Sequence, residues 1–382
     1  MHTTTTADER LALVEAVRDF ADTALAPFAN QRDADKEFPV DALRQAGELG
    51  LGGIYAAEEF GGSGLSRRDA VAIFEELAKG DTAVAAYISI HNMVVWMIDT
   101  FGDVDQRACW VPRLSAMTDL GSYCLTEPGA GSDAAAITTS ARREGDEYVL
   151  DGVKQFISGA GSSSVYVVMV RTGQPGAKGI SAILVPAGTP GLSFGVNERK
   201  MGWNAQPTRQ VIFDGVRVPV SNRLGAEGDG FGIAMKGLNG GRVNMGAVSL
   251  GGAQWALDRA AAYVTQREAF GSALAANQSV VFTLADMETD LQAARALLER
   301  AAAKMDEQAS DAAVACAMAK RFATDAAFGV ANSALQLHGG YGYLQEYGIE
   351  RVVRDLRVHQ ILEGTNEIMR LIIGRHVLAD GR

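Results

Sequence analysis

The sequence predicts a mainly helical protein with a β domain set between two helical domains, on three observations. Apolar residues recur at spacings of three and four through residues 8–120, and short β-branched runs separated by glycine turns replace them over 121–225. Long alanine-rich helical stripes then return and run to the end. The boundaries that follow are an N-terminal α-helical domain at 1–120, a middle β domain at 121–225 and a C-terminal helical domain at 226–382.

After a Thr-rich tail, Leu11, Val14, Val17 and Phe20 mark a first helix that Pro27 ends or bends. A loop is expected from Asn30 to Pro39, then a second helix from Val40 to about Gly50. The run Glu58 to Leu65 is too glycine-rich for a helix interior. Ser66 with Asp69 then predicts a capping box for a helix whose stripe is Val71, Phe74, Leu77 and Ala78.

In the middle domain the strand runs are 147–150, 165–171, 180–185 and 210–213, with Asp151-Gly152 and Asp214-Gly215 read as turns. The domain opens on YCLTEPGAGSD, residues 123–133. Gly129 and Gly131 let backbone N–H groups approach an anion, while Thr126 and Ser132 add hydroxyl donors, a cradle suited to pyrophosphate.

The C-terminal domain begins with a long periodic stretch, Phe231 to Arg267, interrupted by Gly237, Gly240 and Gly241. An interior glycine costs a helix about 1 kcal/mol relative to alanine, so something must approach this backbone, either a ligand or a crossing helix. The stripes Leu284, Met287, Leu291, Leu298 and Val314, Met318, Phe322, Val330 predict packed helices. Their alanines permit close crossings, so a four-helix bundle and subunit packing follow. Glycines 339 and 340 cap the last bundle helix. Near the end, Glu363 lies between the apolar Ile361-Leu362 and a Gly364-Thr365-Asn366 turn where another helix can begin. Such a carboxylate is either solvated or aimed at a ligand, and apolar neighbours would raise its pKa toward that of a working base.

Composition narrows the classes. With 47% hydrophobic and 21% charged residues the chain is an ordinary globular protein. Its net charge of -11 and pI near 5.0 argue against nucleic acid as a partner, though a few arginines suffice for a small anion. Cys109, Cys124 and Cys316 have no metal-ligand spacing, and neither His338 nor His359 has a second ligand nearby, so no metal is assigned. The start lacks a basic n-region followed by an apolar core, and no apolar run reaches the roughly 20 residues of a membrane span. The expectation is a cytoplasmic protein without a membrane partner.

Residues 338–370, HGGYGYLQEYGIERVVRDLRVHQILEGTNEIMR, resemble the C-terminal part of the acyl-CoA dehydrogenases, and YCLTEPGAGSD resembles their flavin-binding signature. The similarity extends over essentially the whole chain. It implies an N-terminal helical domain, a middle β-barrel or sandwich and a C-terminal four-helix bundle. It implies FAD-dependent α,β-dehydrogenation, with Glu363 removing the α proton and flavin N5 accepting the β hydride.

By the same resemblance, Tyr123, Leu125, Thr126, Gly131 and Ser132 contact flavin, as do Phe156, Ile157 and Ser158. Phe156 would cover the isoalloxazine and Ser158 would reach N5; many relatives carry Trp and Thr there, and a Phe filling the β core is the alternative. Thr365, Asn366 and Glu367 follow the base as flavin contacts. Arg267, Phe270, Asn277 and Gln278, with Gln336, Leu337, His338, Gly339 and Gly340, resemble contacts to flavin across a subunit interface, implying a homotetramer. Ser132, Asn239, Gly240, Gly241, Arg242, Gly364 and Arg375 resemble substrate contacts. In some relatives the base stands immediately before the arginine of this helix; here that position is Gly241, which leaves the role to Glu363.

GLNGGRVNMG and NQSVVFTLADM, with the C-terminal segment, resemble the short and branched-chain members. That implies isobutyryl-CoA oxidation to methacrylyl-CoA in valine breakdown, with butyryl- or 2-methylbutyryl-CoA next. The length, without an extra C-terminal domain, favours a dehydrogenase using an electron-transferring flavoprotein over an oxidase. A non-catalytic binding protein is the competing class, against which Glu363, Thr126, Ser132 and Arg242 stand intact.

Overall fold

A reciprocal cap starts the first helix: Glu9 N–H donates to Thr6 Oγ1 at 3.3 Å and Thr6 N–H donates to Glu9 Oε2 at 2.8 Å. The structure, a computed structural model, describes residues 6–379, so most of the Thr-rich tail and the last three residues lie outside the described residues. Helix α1 (Ala7–Phe20) passes through a π turn and a 3-10 turn holding Pro27 into α2 (Ala29–Asp35). The loop expected from Asn30 is therefore helical as far as Asp35. Pro27 sits in the first turn of its 3-10 segment, where a missing N–H costs nothing.

Helices α3 (Val40–Glu48), α4 (Arg67–Gly80), α5 (Thr82–Phe101) and α6 (Val104–Ser115) complete the domain, with the Ser66–Asp69 box in place at α4. By length and composition α5 could cross a membrane, contrary to the sequence expectation that no run comes close. In this fold it is a core helix, with 72% of its apolar window buried.

The middle domain holds strands β1 (Gly121–Cys124), β2 (Ser140–Glu144), β3 (Glu147–Ser158), β4 (Val165–Arg171), β5 (Ile180–Pro186), β6 (Leu192–Phe194), β7 (Thr208–Pro219) and β8 (Arg223–Leu224). They form one mixed sheet in the order β6-β7-β3-β2-β4-β5-β8, with β1 parallel to β4. Along β4 the residues alternate between two cores. Val165, Val167 and Met169 join Val94, Ile98 and Leu114 of the helices, while Tyr166, Val168 and Val170 join Leu150, Val211 and Val216 of the sheet. Burial on both faces is why this strand reads as an unbroken apolar run.

The two Asp-Gly pairs are not strand-ending turns, as the sequence suggested. Both lie inside long strands that pair with each other, where the register shifts between Leu150 and Gly152. Asp151 Oδ1 accepts from Gly215 N–H at 2.9 Å across that irregularity, so one pair holds the other.

Helix α7 (Gly230–Gln266) runs unbroken through its glycines into a small hairpin, β9 (Glu268–Ala269) and β10 (Ser272–Ala273). Helices α8 (Gln278–Asp306) and α9 (Ala312–His338) pack on α7 and on each other, and α10 (Ile349–Arg357) and α11 (Asn366–Ala379) pack on α9. The middle domain is tied to this bundle through Trp203. Its N–H donates to Asp355 Oδ1 at 2.5 Å and its indole Nε1 donates to His359 Nε2 at 3.1 Å. His359 Nδ1 meets Ser249 Oγ at 2.7 Å, so this buried histidine is spent on packing, and burial pushes its pKa down to about 3.

Close crossing demands glycine at Gly251, where a Cβ would lie 2.8 Å from that of Ala78 on α4. Gly251→Ala should therefore force α4 and α7 apart and cost about 1–3 kcal/mol, read as a lower Tm in thermal unfolding.

Candidate active site

Two successive left-handed residues, Glu363 at φ +55° and Gly364 at φ +93°, turn the chain between α10 and α11. A non-glycine residue pays about 1–2 kcal/mol for that conformation, which the surrounding contacts must hold. Thr365 then caps α11 by accepting from Ile368 N–H at 3.3 Å. The turn aims the Glu363 carboxylate inward, onto the backbone of α7. A Cβ on Gly241 would lie 2.6 Å from Glu363 Oε1 and 2.7 Å from its Cδ, so the carboxylate fills the space a side chain would need.

Two buried cations hold this turn, and both hold it by its main chain. Arg242 Nε donates to the Glu363 carbonyl at 3.1 Å, and its Nη1 donates to Asn239 Oδ1 at 2.8 Å. Lys320 Nζ, from α9, donates to the Gly364 carbonyl and to Asn366 Oδ1, each at 2.9 Å. The carboxylate itself has no ion pair among the described residues, and its buried Oε2 has no hydrogen-bond partner. Burial pushes Glu363 up to about 7, against the opposing charges of Arg242 and Lys320. Lys320 is in turn lowered by burial to about 8.

The Gly-rich loop beyond β1 is braced from beneath. Lys154 Nζ donates to Glu127 Oε1 at 2.8 Å and to the Leu125 carbonyl at 3.0 Å, and Glu127 also accepts from Thr138 and Thr139 N–H. Burial alone would raise Glu127, but Lys154 and these donors hold it down to about 2. With the loop's charge settled underneath, its outer face is open. No atom comes within 4 Å of a Cβ built on Gly129 or Gly131, and Ser132 is exposed. Thr126 is partly exposed and Tyr123 carries a buried, unpartnered hydroxyl.

Phe156 is 63% exposed at φ +59°, on the register shift between Lys154 and Ile157. The core-filling alternative for Phe156 is thereby excluded. Ile157 has its side chain in the sheet core, which leaves its backbone to meet a ligand. Leu125 is likewise buried. Ser158 is partly exposed, and its carbonyl accepts from Ser122 Oγ at 2.6 Å.

A second group lies at the far end of α7 and α9. Arg267 and Gln336 to Gly340 line one cavity of about 490 Å³. His338 is stacked on Tyr263 with ring centroids 4.5 Å apart, and Phe270, at φ +53°, projects fully exposed from the β9–β10 hairpin. Asn277 bonds the Leu274 carbonyl and Gln278 opens α8, exposed. Among the described residues no hydrogen bond, ion pair or ring contact joins this group to Glu363.

Asn366 is buried with its amide spent on Lys320, Thr324 and Asp325, so its side chain anchors α11. Arg375 is exposed on α11 and is not brought to Glu363 by any contact. Glu367 is exposed and paired with Arg370 at 3.0 Å. Lys320 was missed by sequence reasoning, although a lysine inside the apolar stripe of a bundle helix is a signal that it serves a buried acceptor.

The residues present fit a flavin: an open glycine loop, an exposed Phe on strained backbone and an arginine-lined cavity at a helix end. The sequence profile of "Acyl-CoA dehydrogenase, N-terminal domain" matches residues 7–118, that of the middle domain 122–216 and that of the C-terminal domain 228–378. Isobutyryl-CoA dehydrogenase, mitochondrial, of Bos taurus is 52% identical over 98% of this chain and 90% of its own. Butyryl-CoA dehydrogenase of Megasphaera elsdenii superposes with a TM-score of 0.95 at 38% identity, covering 99% of this chain and 100% of that one. A chain from structural work on the electron transferring flavoprotein of Acidaminococcus fermentans gives the same score, identity and coverage. The chain belongs to the acyl-CoA dehydrogenase family. It is a flavoprotein oxidoreductase acting on acyl-CoA thioesters.

Gly241→Ala should dislodge the carboxylate while leaving the flavin loop intact. Acyl-CoA oxidation should fall about 100-fold or more at unchanged flavin content, measured by steady-state turnover and the visible spectrum.

Proposed function

We propose that this chain oxidises a short branched acyl-CoA, isobutyryl-CoA to methacrylyl-CoA being the best match, with Glu363 as the base and FAD as the cofactor. The carrying observation is the buried, unpaired Glu363 carboxylate over Gly241 with its pKa raised to about 7. A base poised near neutrality can take the weakly acidic α proton of a thioester. The relative at 52% identity supports the branched substrate.

Glu363 takes the α proton on its side chain. Its backbone N–H, which donates to no group among the described residues, is suited to the thioester oxygen as charge develops there. Arg242 and Lys320 fix the turn, so both atoms of the residue are held before substrate arrives. FAD, when bound, supplies the acceptor for the β hydride. Phe156, Thr126, Ser132 and the 129–131 backbone would hold it, with Arg267 and the 336–340 segment serving a neighbouring subunit's flavin in a homotetramer. An electron-transferring flavoprotein is the proposed acceptor, in keeping with the neighbour at TM-score 0.95.

Anaerobic flavin bleaching by a panel of acyl-CoA thioesters tests the substrate. Glu363→Gln should keep its flavin and lose bleaching by about 100- to 10,000-fold; near-normal turnover would remove Glu363 from the role. Because only the carboxylate accepts a proton, the bleaching rate should rise with pH through about 7 and flatten above it. A rate that falls across that interval would contradict the assignment.

A further inference from the structure

On α7 the positions Gly237, Gly240, Gly241 and Asn244 are spaced i, i+3, i+4, i+7 and so share one face. Each meets a different group. Gly237 faces Met97 and Met93 of α5, Gly241 faces Glu363, and Asn244 donates from Nδ2 to Tyr55 Oη at 3.1 Å. Gly240 faces Arg67, from the first turn of α4, and a Cβ there would lie 2.7 Å from Arg67 Nη1.

Arg67 is a buried cation held by aromatic faces and by no carboxylate. It is 6% exposed, its guanidinium sits 3.5 Å above the Tyr55 ring and 5.5 Å from that of Trp96, and it has no ion pair among the described residues. Its Nη1 is buried without a hydrogen-bond partner, as are Asn244 Oδ1, Tyr123 Oη and Glu363 Oε2. Native interiors rarely leave such atoms unpaired, and an unsatisfied buried charge is costly. Four around one glycine face mark a region built for something other than packing. Within it Arg67 and Glu363 lean on adjacent glycines yet form no ion pair, with Tyr55 influenced by both charges.

We propose that Arg67 is a specificity-determining residue: propped on Tyr55 against Gly240, beside the Glu363 carboxylate on Gly241, its guanidinium limits the acyl site and excludes long unbranched chains. This rests on the reading of Glu363 as the base. Extra methylenes would have to press on a buried cation and dislodge it from an aromatic face, which is unfavourable. A short branched acyl group stops before that point.

The test compares isobutyryl-CoA with hexanoyl- and octanoyl-CoA by kcat/KM and anaerobic bleaching, in the wild-type holoenzyme, Arg67→Met and Arg67→Lys. Wild type should prefer isobutyryl-CoA. Arg67→Met, similar in length but uncharged, should raise the octanoyl-to-isobutyryl ratio at least tenfold, and mainly through a lower KM for the longer chain. Arg67→Lys keeps the charge without the planar stack and should shift the ratio less; it also serves if Arg67→Met does not retain flavin. Ratios within twofold of wild type in flavin-loaded variants, or a wild type that already prefers octanoyl-CoA, overturn the proposal. If wild type is bleached by none of the three while Glu363→Gln behaves identically, the functional reading fails first; bleaching by isobutyryl-CoA with unmoved ratios sinks the Arg67 inference alone.

Discussion

The structure depends on one close approach: a carboxylate lying directly on the backbone of a helix where that helix has no side chain. The Glu363 carboxyl group occupies the place of a Gly241 Cβ, so α7 and the 358–365 turn must each be where they are for the other to fit. Desolvation follows from this contact, and with it the raised proton affinity. The cost is carried by contacts that avoid the carboxylate itself. Arg242 and Lys320 bind the carbonyls of residues 363 and 364, which fixes the turn without neutralising the carboxylate. Had either formed a short ion pair with the side chain, the pKa would have moved the other way.

Helix α7 is the common member of the three domains. Met97 and Arg67 of the N-terminal helices rest on its glycines, Ala182 of the sheet packs against Ile233 and Ala234 near its start, and α9 carries Lys320 to the opposite side of the turn. The Trp203 bonds to Asp355 and His359 tie the sheet to α10 and the turn that leads to Glu363. The C-terminal domain thus supplies the Glu363 carboxylate and the middle one the glycine loop, which the buried Glu127–Lys154 pair braces from beneath.

Much of this was legible in the sequence because it is local. Periodicity located the helices, the Ser66–Asp69 cap was read from four residues, and a glycine pair inside a helix signalled close approach before its partner was known. The errors were cases in which distant residues overruled a local signal. Asp-Gly pairs that ordinarily end strands sit within them, because Asp151 reaches across to Gly215. The direction of a side chain is likewise set at a distance: strand alternation takes Ile157 inward and the Lys320 network takes Asn366 inward. The stripe around Lys320 signals its burial but not its acceptors, and Arg67 gives no local signal, since the partners of both come from other helices.

The glycines of α7 also make the helix a graduated rail. Gly237, Gly240 and Gly241 index the reactive region, while Gly246 and Gly251 receive Leu298 of α8 and Ala78 of α4. Advancing the helix by a single residue rotates each notch by about 100° and lifts it about 1.5 Å. With the helix moved one way, Leu298 would meet Ala247 and Glu363 would meet Arg242; moved the other, Leu298 would meet Met245 and Ala78 would meet Leu250. Either displacement meets a side chain where a notch had been, so core fit and the seat of the Glu363 carboxylate are read off one scale.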